Sequence, residues 1–240
     1  MRVLLCTDGL AGAHAATTWL ERFVPSEPSS LRIAAIAQMP PLGLRSSPAR
    51  SAIRELMLER SRRFCEAARA RLQGHWADLT VHVTDGDPPE GLLRAAEEWK
   101  ADLVVLGRSA SGDSSPLLGS VARLGARYLD CSVLLVDREP VSIREIVLGM
   151  DGSASAREAV RILSLFPFAT TSRVLALGIV NTSWRRTMEL DEFPPAVRRT
   201  VHEIEAQHAD VARAALARTA AVLADWATVR SRREVPPRFC

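Results

Sequence analysis

The chain has 240 residues, of which 47% are hydrophobic and 25% charged, and its formal net charge is +3 at pH 7. These values suit a globular chain of one large domain or two small ones, and so small a net charge argues against a nucleic-acid groove. No apolar stretch is long enough to span a membrane, and the N-terminal MRVLLCTDGL, which meets Asp8 after a short apolar run, does not read as a signal peptide. Lys100 is the only lysine, so the positive charge is almost all arginine, which reads as genome composition rather than phosphate recognition. The four cysteines, Cys6, Cys65, Cys131 and Cys240, form no C-x-x-C pair. Neither a zinc knuckle nor a thioredoxin-type site is indicated. Cys6 and Cys131 lie in apolar strand contexts and read as buried thiols, and a reducing cytoplasm is the expected setting.

In chain order, Val3–Cys6 reads as a short strand ended by Thr7-Asp8-Gly9. A helix over about 11–23 places Ala15, Trp19, Leu20 and Phe23 on one face. Leu31–Ala37 is the second strand, and 38–48, with its Pro, Gly and Ser, is a loop. A long helix follows over about 49–72, with Ile53, Leu56, Phe64, Ala68 and Leu72 apolar and Arg54, Arg60, Arg62 and Arg63 on a solvated face. Leu79–Thr84 alternates and is the third strand. Pro88 and Pro89 open a third helix, where proline is tolerated. Leu103–Leu106 is a fourth strand stopped by Gly107. A small-residue loop leads to Gly119-Ser120-Val121, an amphipathic helix, and a fifth strand, Val133–Val136. Five strands alternate with four helices, which predicts a parallel sheet with helices on both faces and right-handed crossovers.

A second copy begins near Arg144. Glu145–Ser153 repeats Val3–Gly9, with an Asp-Gly pair closing an apolar strand both times. A helix over about 154–166, a strand Arg173–Val180, a loop 181–195 and a long helix over about 196–226 follow in the same order. Thr228–Pro237 (TVRSRREVPP) then echoes Thr80–Pro89 (TVHVTDGDPP). Such a repeat predicts duplicated domains. The expected division is a complete first domain at 1–137, a linker at 138–143 and a second domain at 144–240, truncated before its glycine loop. The second copy then lacks half a sheet and leaves an exposed strand edge. A fragment, a premature stop and a sheet completed by a partner all fit.

Asp8 after strand one, Gly107 after strand four, and Gly119-Ser120-Val121 at a helix start together resemble the tandem universal stress proteins, over all of copy one and about two thirds of copy two. The resemblance implies a Rossmann-like fold of the adenine nucleotide alpha hydrolase type, with a five-stranded parallel sheet in the complete copy. It implies an adenine nucleotide, ATP, as ligand of the first domain and no metal. Asp8 would contact the adenosine end. Gly107, Arg108, Ser109, Ala110, Gly119, Ser120 and Val121 would form the phosphate loop, at a helix N-terminus that favours anions. Two departures stand out. Ala110 replaces the family's second glycine, and eight residues instead of nine separate it from Gly119. Gly112 could take over in a shifted loop, and Asp113 adds a negative charge. Copy two keeps Asp151-Gly152-Ser153 but has no counterpart of Gly107 or Gly119-Ser120, so no family-type site is expected there.

Each residue has a plainer role beside the functional one. Asp8 suits a helix N-cap, as does Ser120. Gly107 suits a strand end, and Ser115-Pro116 is a competing helix start. Arg108 and Ser109 are donors that phosphate or solvent could take. His202 and His208 lie six apart, off one helical face, and no metal site is expected. No nucleophile elbow or P-loop occurs, and no loop lysine is present to stabilise phosphoryl transfer. The expected function is non-enzymatic: a cytoplasmic stress-response protein that binds ATP through its first domain. The alternative is a degenerate module of the same family that acts by interaction. For either, the resemblance implies a homodimer through the first domain's last strand, with neither nucleic acid nor membrane as partner.

Overall fold

The computed structural model describes residues 1–40, 48–108, 118–139, 142–178 and 194–222. The chain divides into two compact units, one of Met1–Ser142 with Leu165–Pro167 and one of Ile143–Ser164 with Phe168–Cys240.

The first unit runs β1 (Arg2–Cys6), α1 (Ala11–Arg22), β2 (Ser30–Ala37), α2 (Pro48–Leu72), β3 (Asp78–Asp85), α3 (Pro88–Trp99), β4 (Leu103–Gly107), α4 (Ser120–Tyr128) and β5 (Ser132–Val136). The alternation expected from the sequence is borne out. All five strands are parallel, in the order β3-β2-β1-β4-β5. Register is set where Val3 lies opposite both Leu31 and Leu103.

That strand order decides where the helices go. The crossovers β1-α1-β2 and β2-α2-β3 step outward in one direction, whereas β3-α3-β4 steps back across the sheet. Right-handed connections therefore put α1 and α2 on one face and α3 and α4 on the other. Leu4, Ala34, Val104 and Leu106 of the sheet pack with Leu92, Ala95 and Ala96 of α3 and with Val121 of α4. Leu4, Leu5, Ile33, Val104 and Val105 are fully buried, as a central parallel sheet requires.

The long helix α2 differs from its expected apolar face. Its buried stripe is Leu58, Ser61, Cys65, Ala68 and Leu72, at alternating spacings of three and four. Leu56 falls off that stripe and is 65% exposed. The helix α3 begins as its prolines suggest: Asp87 is the N-cap, and its carboxylate accepts a hydrogen bond from the Glu90 amide at 3.3 Å. It ends on Lys100, held in the left-handed region at φ +50°.

The second unit contains β6 (Glu145–Gly149), α5 (Ala154–Ser164), β7 (Arg173–Leu177), α6 (Pro195–Val222) and all but the first residue of a 3-10 turn (Pro167–Thr170). The strands β6 and β7 pair in parallel, with Leu148 opposite Ala176. One face of the pair is buried by a cluster of Leu148, Met150, Val160, Val174 and Ala176, with Leu216 of α6 packed against it. The other face is open: Val147, which corresponds to the fully buried Leu4, is 64% exposed. The expected helix to 166 stops at Ser164, two residues before the 3-10 turn. The expected repeat of β3 at 228–237 lies outside the described residues, as does 181–193 of the loop expected at 181–195, whose last residue, Pro195, begins α6.

No described helix is long and apolar enough to cross a membrane. Cys65 is the buried thiol. Cys6, the last residue of β1, and Cys131, just before β5, are expected to be buried and are both half-buried.

Candidate functional site

Two βα junctions, β1-α1 and β4-α4, meet at the carboxyl edge of the sheet. They flank the point where successive crossovers leave in opposite directions, which is where open α/β sheets leave a crevice.

At the first junction the chain leaves β1 through Thr7, whose amide bonds the Ala34 carbonyl at 2.9 Å. Asp8 then closes a turn: its Oδ1 accepts from the Leu10 amide at 2.9 Å. Gly9 sits at φ +75°, and the Gly9 amide donates to Thr7 Oγ1 at 3.3 Å. Leu10, rather than Asp8, is the N-cap of α1, and no side chain caps it. The plainer role expected for Asp8 is thus displaced by two residues. Asp8 shapes the approach to the helix and leaves the first-turn amides of α1 without a side-chain partner.

At the second junction the Arg108 amide bonds the Val136 carbonyl at 2.9 Å, and the Arg108 carbonyl accepts the Gly119 amide at 3.2 Å. Gly119 is the N-cap of α4, again with no side-chain hydrogen bond. Ser120, expected as a cap, is instead the first helical residue. The amide at Gly119 is therefore used within the fold, and the amides that follow it are the ones that can meet an anion. Arg108 Nη1 donates to Asp137 Oδ1 at 2.7 Å, so this guanidinium is already engaged. Ser109 and Ala110 lie outside the described residues, as do Gly112, Asp113 and Ser115-Pro116.

Gly107 has a steric explanation. A β-carbon built on it would stand 2.2 Å from the Gly12 carbonyl carbon and 2.7 Å from the Ala13 nitrogen. Only glycine lets β4 pass so close to α1. At Gly119 the corresponding atom would meet the Arg108 carbonyl oxygen at 3.6 Å, an ordinary contact.

Between the two junctions lies a cavity of about 640 Å³. That is within the range of roughly 300–1,000 Å³ typical of small-molecule sites. Asp8, Gly107, Arg108, Gly119, Ser120 and Val121 all line it. The structure thus brings together every described residue singled out from the sequence. It adds residues that the sequence reading assigned elsewhere. Met57, Arg60 and Phe64 of α2 form part of the wall, although Phe64 read as core and Arg60 as solvated face. Asp87, the cap of α3, also faces the cavity. No sequence signal marks these residues, because α2 reaches the site only through tertiary packing. A β-carbon on Gly9 would overlap the Phe64 ring at 2.4 Å, so the ring lies directly on the Asp8-Gly9 turn.

The Cys6 thiol also lines the cavity. Burial, with the negative charge of Asp8 nearby, pushes its pKa up to about 12. The thiol therefore stays protonated at neutral pH and is a poor nucleophile.

The second unit repeats the first turn closely. Asp151 Oδ1 accepts from the Ser153 amide at 2.8 Å, and Gly152 has φ +80°. Hydrogen bonding from Ser153 holds the Asp151 carboxyl below the usual carboxylate range. Here, however, Ser153 Oγ accepts from the Ala156 amide at 3.1 Å, so the helix start is capped from within.

The model of the universal stress protein family matches residues 1–137. This chain belongs to the universal stress protein family. Among solved structures, the universal stress protein of Archaeoglobus fulgidus DSM 4304 aligns with a TM-score of 0.59 at 16% identity, over 86% of this chain and 74% of that one. The hypothetical protein MJ0577 aligns with a TM-score of 0.52 at 18% identity, over 58% of this chain and 96% of that one. At such identities the likeness is one of fold. The universal stress protein fold accounts for the five-stranded unit.

Proposed function

We propose that this universal stress protein is a non-enzymatic, cytoplasmic stress-response protein whose first unit binds an adenine nucleotide, ATP in the first instance. The observation that carries the reading is the pair of helix starts, α1 and α4, which open uncapped by side chains onto one cavity at the switch point of the sheet. Amides there favour a phosphate. The volume suits a nucleotide, and membership of the family supports the choice of ligand. Asp8 keeps its Oδ2 for the sugar or base, Gly107 holds α1 against β4, and Ser120 and Val121 supply amides.

Equilibrium binding of labelled ATP to the folded protein tests this. Saturation in the micromolar range is expected, together with adenine nucleotide released on denaturing freshly purified protein. Gly119→Trp fills the cavity and should abolish both. No saturation up to millimolar ATP, with a folded sample, overturns the reading.

A second reading, of an interaction module whose site has decayed, is favoured by two specific contacts. The Gly119 amide is spent on the Arg108 carbonyl, and the Arg108 guanidinium is bound to Asp137. In that reading β5, an edge strand of the five-stranded sheet, carries a homodimer. Light scattering at micromolar concentration should then give the dimer mass, and a strict monomer overturns it.

A further inference from the structure

Among the described residues, the cavity has two basic residues in its wall, Arg60 and Arg108, and two acidic ones, Asp8 and Asp87. Arg108 is neutralised by Asp137 at 2.7 Å, only the Arg108 member of that pair being part of the wall. Arg60 is different. Among the described residues it forms no ion pair. Its guanidinium carbon sits 5.4 Å from the centroid of the Phe64 ring, within reach of a cation–π contact. Phe64 is in turn fixed against Gly9. A flexible exposed side chain is thereby held on an aromatic platform at the cavity.

The second unit provides an internal comparison. Gly152, the equivalent of Gly9, faces Ala215 of α6, whose β-carbon would lie 3.6 Å from a β-carbon on the glycine. Ala215 thus stands where Phe64 stands, and four residues earlier Val211, 56% exposed, stands where Arg60 does. The same turn is packed by a long helix in both units, but only the first carries the aromatic-plus-arginine pair. Packing of the turn alone therefore does not require it.

We propose that Arg60, seated on Phe64, is the cation that pairs with the anionic group of the ligand, the role that the sequence reading gave to Arg108. This rests on the nucleotide reading above and adds to it. Without Arg60 the described lining would carry the charges of Asp8 and Asp87 opposed only by an arginine already paired, which disfavours a polyanion. A hydrogen bond between charged groups is worth enough that its loss lowers affinity roughly ten- to hundredfold.

The test is calorimetric titration of the full chain with ATP and, separately, with adenosine. Arg60→Ala should lose roughly ten- to hundredfold in ATP affinity and change adenosine affinity by less than about twofold. Arg60→Lys should recover part of the loss for ATP. Phe64→Leu should weaken ATP binding in the same selective way, by freeing the guanidinium, with folding checked by circular dichroism. Equal ATP affinity in wild type and Arg60→Ala overturns this proposal alone. Equal losses for ATP and adenosine also overturn it, because they would place Arg60 against the nucleoside. A wild type that binds neither compound overturns the nucleotide reading and this proposal together.

Discussion

Gly107, the last residue of β4, lies against the backbone of Gly12 in α1, so close that a β-carbon on it would come within 2.2 Å of the Gly12 carbonyl carbon. Backbone cannot yield as a flexible side chain can. Gly107→Ala should therefore destabilise the first unit by about 1–3 kcal/mol, the usual cost of overpacking, or force α1 away from the sheet. Gly119→Ala, whose β-carbon meets only an ordinary contact, should cost no more than about 1 kcal/mol, the scale of a cap change. Calorimetric unfolding of the two variants separates them. Equal shifts in Tm would contradict the packing assigned to Gly107.

The paired turns offer a second comparison. Gly9 and Gly152 share a left-handed backbone, which alone costs a non-glycine residue about 1–2 kcal/mol. Only at Gly9 does a β-carbon also run into a ring, that of Phe64. Gly9→Ala should thus be more destabilising than Gly152→Ala, and combining it with Phe64→Ala should remove the excess. Chemical denaturation of the three variants checks both statements.

Acid should release one tie between α2 and β3. Arg54 binds Asp85 through two hydrogen bonds, at 2.6 and 2.9 Å, and this holds the Asp85 carboxyl below its ordinary range. A depressed carboxyl contributes stability above its unfolded pKa of about 3.9 and loses it as pH falls through the lower folded value. Both side chains are open to solvent, so the contribution to stability is small. Carboxyl-resolved NMR titration should show Asp85 returning toward the ordinary value in Arg54→Ala. An unchanged midpoint would refute the contact.

The thiols behave in the opposite sense. Burial pushes both Cys6 and Cys65 up to about 12. A raised thiol pKa favours the folded state below the unfolded value of about 8.5, and that preference is lost as pH climbs toward 12. At pH 8 both should react with iodoacetamide far more slowly in the native protein than after unfolding. Site-resolved mass spectrometry reads the rates, and rapid native labelling at Cys65 would contradict its burial.

The order of strands and helices was legible in the sequence, because each is written in local pattern. Apolar runs such as Val3–Cys6 and Leu103–Leu106 are strands wherever they pack, and Pro88-Pro89 starts a helix by its own covalent geometry. The doubled Asp-Gly turn was legible for the same reason, since a left-handed residue after a strand calls for glycine at any position in a fold. Asp8, Gly107 and Gly119, picked out from sequence, all line the cavity at the carboxyl edge of the sheet.

What the tertiary structure decided is what each residue does there. Gly107 packs against α1, because Gly12 occupies the space a β-carbon would need. Arg108 turns to Asp137, a residue 29 positions away in the sequence. Arg60 and Phe64 join the wall because α2 lies over the turn after β1. In sequence they are a solvated arginine and a core phenylalanine. Local pattern fixes backbone preference, while the partner of a long charged side chain depends on which elements a right-handed crossover sets beside it. Among the described residues of the cavity wall, that difference leaves Arg108 paired with Asp137 and Arg60, on α2, without an ion pair.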